Sequence, residues 1–159
     1  MQRKKKKTKR IWFFVDQILR ESDFTKSELK GANLYNVVLR DINLNGSDVS
    51  NASLVNVDAR RARLENVNFR NVDLGNANFS KSILKNANLN GAILLSTKLN
   101  GADLTDVILD NAIVDRQDWL IYIKDNLKLK GAKELFEKYK VDSLYSKVFD
   151  AKVLTVLKK

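Results

Sequence analysis

The sequence predicts an all-β solenoid over residues 22–116, in which the chain turns once every five residues about a common axis. Three observations carry this. Stepping by five from Phe24 to Val114 meets nineteen positions, all apolar, thirteen of them Leu. Two residues before each lies a second series of small or β-branched residues: eight Ala, five Val, four Ser, Thr97 and Ile42. Two residues after the large residue stands Asn or Gly in many repeats, as at Gly31, Asn36, Gly46, Asn51 and Asn66, and these types tolerate turns and positive φ. No charge enters either inward series, although Asp, Glu, Lys and Arg make up 30% of the chain.

A helix cannot use such a pattern, because steps of five advance about 500° and leave no apolar stripe. A flat strand cannot either, because five is odd and alternate Leu residues would point to opposite faces. One turn per five residues lets every Leu face inward, with the small residue two earlier filling the space near a corner.

The elements follow in chain order. Residues 1–10, MQRKKKKTKR, carry seven basic side chains and no acid. They read as a disordered basic tail, with Arg3, Lys4, Lys5, Lys6, Lys7, Lys9 and Arg10 as candidate anion-binding residues. The apolar run IWFFV that follows is cut by Asp16 and Gln17, and no small-residue cleavage site comes after it, so the terminus reads as uncleaved. Ile11, Trp12, Val15, Ile18 and Leu19 share one helical face. Residues 11–21 are therefore expected to form an N-terminal cap helix over the raw end of the solenoid. Trp12 and Phe13 behind a Lys/Arg run also suit an interfacial membrane anchor.

In residues 22–116 the motifs Ala32-Asn33-Leu34, Ala77-Asn78-Phe79, Ala87-Asn88-Leu89-Asn90-Gly91 and Ala102-Asp103-Leu104 resemble the pentapeptide-repeat family, whose signature is A(D/N)LXX. The resemblance implies four repeats per coil in a right-handed quadrilateral β-helix. About 19 repeats then make about 4.75 coils, roughly 23 Å long at the strand spacing. The solenoid core is expected to hold Phe24, Leu34, Leu44, Leu54, Leu64, Phe69, Leu74, Phe79, Leu84, Leu94 and Leu104. Positions twenty apart should stack, and in the column Leu39, Ala59, Phe79, Leu99 the one Ala adjoins the one Phe, as volume conservation requires.

Residues 117–159 are expected to form a helical C-terminal cap or dimerisation segment. Asp115 and Asp118 have capping-box-like spacing. Trp119, Leu120, Ile123 and Leu127 share a helical face, and Gly131 breaks it. Leu135, Phe136 and Tyr139 suggest a second helix; Leu144, Tyr145, Val148 and Phe149 suggest a third. Val153–Lys159 suits helix or strand.

The residue inventory restricts chemistry. The chain has no His and no Cys, which removes His-assisted nucleophilic catalysis, Cys nucleophiles and the usual zinc sites. Asp103, Asp106 and Asp110 match no calcium loop and read as solvated corner residues. No GxGxxG or phosphate-binding loop occurs, and a filled solenoid offers no substrate pocket. No enzymatic activity and no cofactor are expected. The lack of Cys fits a reducing compartment, and a cytoplasmic location is expected.

Function then rests on surface. Under a four-sided register Arg40, Arg60, Arg61 and Arg63, with Lys81 and Lys85, gather along one face and its corner, interleaved with Asp41 and Glu65. Tyr35, Val55 and Leu95 stack outward, with Ile93 and Ile113 beside them. These are the candidate partner-binding residues of a protein-interaction scaffold. A protein partner is expected, and a homodimer through 117–159 is a second use of the C-terminal segment. An alternative is electrostatic contact of residues 1–10 with nucleic acid or an anionic membrane. The resemblance also implies a topoisomerase-binding DNA mimic. Charge disfavours it: residues 11–116 carry 12 basic and 13 acidic side chains, and residues 117–159 carry ten basic and six acidic.

Overall fold

The structure is a computed structural model that describes residues 15–147 and 149–159. Its main body is a coil built from identical corners. Every fifth residue from Asp16 to Asn111 has a φ between 54° and 70°. At each corner from Phe24 onward the residue after the positive-φ position donates its N–H to the carbonyl of the large residue three earlier, as Ala32 does to Leu29 at 2.9 Å and Ala102 to Leu99 at 2.9 Å. Positive φ at the third residue with this bond is type II turn geometry. It explains the excess of Asn and Gly at that position.

Four corners close one coil. Parallel bridges join each side to the side twenty residues on, from Ile18↔Val38 to Ile93↔Ile113. The ladder is regular: Leu54 N–H donates to the Asp73 carbonyl at 2.8 Å, and Asp58 N–H to the Val37 carbonyl at 3.1 Å. Inside, Leu34, Leu44, Leu54, Leu64, Phe69, Leu74, Phe79, Leu84, Leu94 and Leu104 are each at most 2% exposed, while Phe24 near the N-terminal end is partly buried. Phe69 and Phe79 project from opposite sides of one coil and meet across the axis, edge to face, with ring centres 6.1 Å apart. Ala59, one coil below Phe79, is buried and gives the larger ring its room.

The ends differ from the sequence expectation. Residues 11–14 of the proposed cap helix lie outside the described residues. Residues 15–21 are not helical. They continue the coil, with corners at Asp16 and Glu21, Ile18 bridged to Val38, and Leu19 donating its N–H to the Val38 carbonyl at 2.8 Å. The open ladder of the next coil offers this stretch its backbone partners, and that outweighs the local helical periodicity of Val15, Ile18 and Leu19. The solenoid geometry therefore starts before residue 22.

At the other end the order is β1 (Ile113–Val114), α1 (Trp119–Ile121), a wider helical turn Tyr122–Asn126, α2 (Ala132–Lys138), β2 (Tyr139–Ser146) and β3 (Ala151–Lys158). The first two expected helices correspond to short helical segments, except that Tyr139, expected in the second, opens β2. The third does not form: Leu144 and Tyr145 lie in β2, which pairs antiparallel with β3, and Val148 lies outside the described residues. β3 in turn pairs antiparallel with β1, so the hairpin takes over the last side of the solenoid. The raw ladder end again supplies partners for a strand that helical spacing alone does not reveal. Asp115 caps no helix; its Oδ2 accepts the Ser96 N–H at 2.9 Å and closes a solenoid corner. Asp118 stands at the start of α1 without a side-chain cap bond and pairs with Arg116 at 2.5 Å.

Candidate functional site

With the core filled, function has to be sought on the outside. Two cavities inside the coil are about 10 Å³ each and lined by apolar residues, with Thr97 the one polar residue among them. That is room for one water at most, not a substrate. Among the described residues no cluster of carboxylates is placed to hold a metal ion. The aspartates at the C-terminal end are tied separately, Asp103 to Lys130 at 2.7 Å and Asp110 to Lys158 at 3.2 Å.

The twenty-residue register sorts the predicted surface residues. Three of the four arginines sit in ion pairs with two carboxylates. Arg40 and Arg60 both pair with Asp58, at 2.6 and 2.9 Å. Arg61 pairs with Asp41 one coil below, donating from Nε and Nη2 at 2.7 and 2.6 Å. The guanidinium holds the Asp41 carboxyl below its usual range and raises Arg61 in turn. Arg63 stands outside these pairs, exposed on the adjoining side. Arg40, Arg60 and Arg61 thus form a network with Asp58 and Asp41 that staples coil to coil.

The apolar column is divided. Tyr35 and Val55 lie on one corner, followed by Gly75 and then Leu95. Tyr35 is 42% exposed, while Val55 and Leu95 are partly buried. Tyr35 Oη also accepts a hydrogen bond from Asn56 Nδ2 at 3.2 Å, which fixes the ring over the next coil. Ile93 and Ile113 stack on the side next to Leu95 and are partly buried. The gap at Gly75 separates Leu95, Ile93 and Ile113 from Tyr35 and Val55.

Sequence reasoning missed three members of the first group. Val15 lies twenty residues before Tyr35 and extends the same corner, and Ile18 and Val38 stack on the adjoining side. Val15 is 36% and Ile18 70% exposed. The signal is in the sequence, since counting twenty back from Tyr35 reaches Val15, but the helical spacing of Val15, Ile18 and Leu19 masks it. The seven basic residues Arg3–Arg10 lie outside the described residues.

The comparisons agree with this geometry. A family model described as a pentapeptide repeat region matches residues 14–92. A pentapeptide repeat protein of the Arabidopsis thaliana thylakoid lumen is 31% identical, with 69% of this chain and 76% of that chain covered and a TM-score of 0.55. A pentapeptide repeat protein from the cyanobacterium Cyanothece 51142 is 25% identical, covering 66% of this chain and 85% of that one, with a TM-score of 0.48. The plasmid-mediated fluoroquinolone resistance protein QnrB1 is 15% identical over 76% of this chain and 97% of that one, with a TM-score of 0.26, and at that distance it carries no argument about function. No curated protein matches the chain.

Proposed function

This chain belongs to the pentapeptide-repeat family, whose fold is a right-handed β-helix, and from that premise we propose that it is a non-catalytic protein-interaction module. The observation that carries the reading is the exposed apolar group Val15, Ile18 and Tyr35, continued by Val38 and Val55, on one corner and its adjoining side, where each coil is hydrogen-bonded to the next. A fixed, partly apolar ridge of this kind loses little conformational entropy on docking and suits a protein partner. The experiment is a comparison of partner recovery by the wild-type chain and by Tyr35→Asp and Val55→Asp. Each substitution is expected to cut the recovered partner about tenfold or more while the melting temperature stays near that of the wild type. Equal recovery by both variants would remove this corner from the interface.

A second reading attaches to the density of charge in residues 1–10, seven cations and no anion. Such a run binds phosphate in a salt-dependent way. Retention on heparin or anionic vesicles that is lost on deleting residues 1–10, and lost with rising salt, supports an electrostatic tether. Retention unchanged by the deletion contradicts it. A DNA-mimic role is not favoured, because the solenoid region is close to neutral.

A further inference from the structure

The hairpin at the C-terminal end leaves one strand edge open. In the sheet order β1-β3-β2, β2 has a partner on one side only. The phase of its ladder follows from one bond, Lys159 N–H to the Lys138 carbonyl at 3.1 Å. Bonds to β3 therefore fall on the even-numbered residues of β2, and Val141, Ser143 and Tyr145 turn their backbone groups outward. The Val141 carbonyl accepts from Gln117 Nε2 at 2.7 Å, and the Ser143 N–H is held only by the neighbouring Asp142 carboxylate at 2.8 Å. The pairing edge thus ends at Val141 and runs from Ser143 toward the hairpin turn.

The same hairpin exposes apolar side chains. Leu144 is 42%, Tyr145 61% and Phe149 41% exposed. β1 engages β3 only at Leu154 and Thr155, so the distal half of the hairpin projects from the body. A two-stranded hairpin without further support is marginal in water. At the proximal end of β2 lies a groove of about 180 Å³, lined in part by Ile121, Phe136, Tyr139 and Val141.

These features match across a two-fold axis. If a second copy lays its β2 antiparallel along this edge with the axis at Leu144, Ser143 falls opposite Tyr145 of the second copy and Leu144 opposite its own equivalent. Both outward-facing backbones are then used, and the Gln117 bond to Val141 is left intact. Asp142 falls opposite Ser146, so no like charges meet directly. Phe149 lies beyond the strand, in the turn between β2 and β3, outside this register. We propose that two copies of this chain pair antiparallel through the β2 edge about Leu144, the backbone of Ser143 in each bonded to that of Tyr145 in the other. The contact is isologous and closes on itself, so it gives a dimer and not a fibre. It does not depend on what binds the Tyr35 corner, which lies toward the other end of the coil.

The test uses the full chain, which contains no Cys. Leu144→Cys places a thiol on the axis, opposite its own copy, at a non-hydrogen-bonded pair with Cα separation of about 4.5 Å, within disulfide reach. Asp142→Cys faces Ser146 and cannot bridge to itself. On mild oxidation Leu144→Cys is expected to form the covalent dimer at least about tenfold faster than Asp142→Cys. By sedimentation velocity the wild type is expected to dimerise with rising concentration. Ser143→Pro, which removes an outward N–H and no bond to β3, and Leu144→Asp, which sets two like charges opposite each other on the axis, should each weaken the dimer about tenfold or more with the fold intact. A wild type that stays monomeric, equal cross-linking of the two Cys variants, or full dimerisation of Leu144→Asp would each overturn the proposal.

Discussion

One backbone conformation, repeated at every fifth residue, makes this coil, and its side chains then reinforce it. A positive φ costs an L-residue roughly 1–2 kcal/mol, less for Asn. The corners at Glu21, Lys26, Arg61 and Lys81 bear that cost without the help of Asn or Gly. Side chains twenty apart return part of it: Asn36 Nδ2 donates to Asp16 Oδ1 at 2.9 Å, Asn86 to Asn66 at 3.2 Å, and Arg61 to Asp41. On the sides, partial burial pushes the Asp48 carboxyl up, but hydrogen bonds from Ser50 and Asn68 outweigh it and hold the group low. Arg61 does the same for Asp41. A carboxyl lowered in the folded state stabilises above its unfolded value, near 3.9, and loses that contribution as pH falls through its folded value. With no His in the chain, nothing among these groups titrates between pH 5 and 8. The melting temperature is therefore expected to be flat from about pH 5 to 8 and to fall below about pH 4, with a shallower fall in Asp41→Asn. A marked change between pH 6 and 7 would contradict this assignment.

Between the elements, the join of cap to coil is the point most exposed to a single substitution. Leu104 N–H donates to the Lys130 carbonyl at 2.9 Å, Val156 N–H to the Ala112 carbonyl at 2.8 Å, and Leu109 N–H to Tyr139 Oη at 3.3 Å. Gly131 makes the first of these possible. Its φ is +82°, and a Cβ there would lie 2.6 Å from the Leu104 carbonyl carbon and the Thr105 nitrogen, both backbone. Gly31 also has a positive φ, +70°, but nothing lies within 4 Å of its Cβ position. Gly31→Ala should therefore cost only the conformational term, about 1 kcal/mol. Gly131→Ala should cost clearly more, about 3 kcal/mol or above, and loosen the C-terminal segment. Chemical denaturation of the two variants checks the order; equal losses would mean that the cap does not rest on the Leu104–Thr105 backbone. The coil was legible from residues because five-residue periodicity leaves a mark on every inward position. The ends were not, because Leu19, Val141 and Val156 take their conformation from a ladder supplied by distant parts of the chain. A helical face through Val15, Ile18 and Leu19 is compatible with local spacing, and only the neighbouring coil decides against it. The surface was half legible: stacking by twenty found Tyr35 beside Val55, but it could not show that Asp58 and Asp41 draw Arg40, Arg60 and Arg61 into ion pairs.

Taken whole, the molecule is a filled column with a sealed C-terminal end and four sides that vary in chemistry. No helix among the described residues is long and apolar enough to cross a membrane. The core leaves no room for a substrate, so the corners and sides are what the fold offers to other molecules. Rigidity gives direction to that offer: a partner that docks on the Tyr35 corner cannot reach the opposite one. The most direct measurement is site-specific photo-crosslinking with a single reactive residue placed in turn at Tyr35, Arg60, Lys85 and Arg70, one for each corner. Crosslinks to a protein partner concentrated at position 35, and lost when Val55→Asp is added, are the expected result. Equal crosslinking from all four corners, or none from any, would contradict a protein-binding role for this surface.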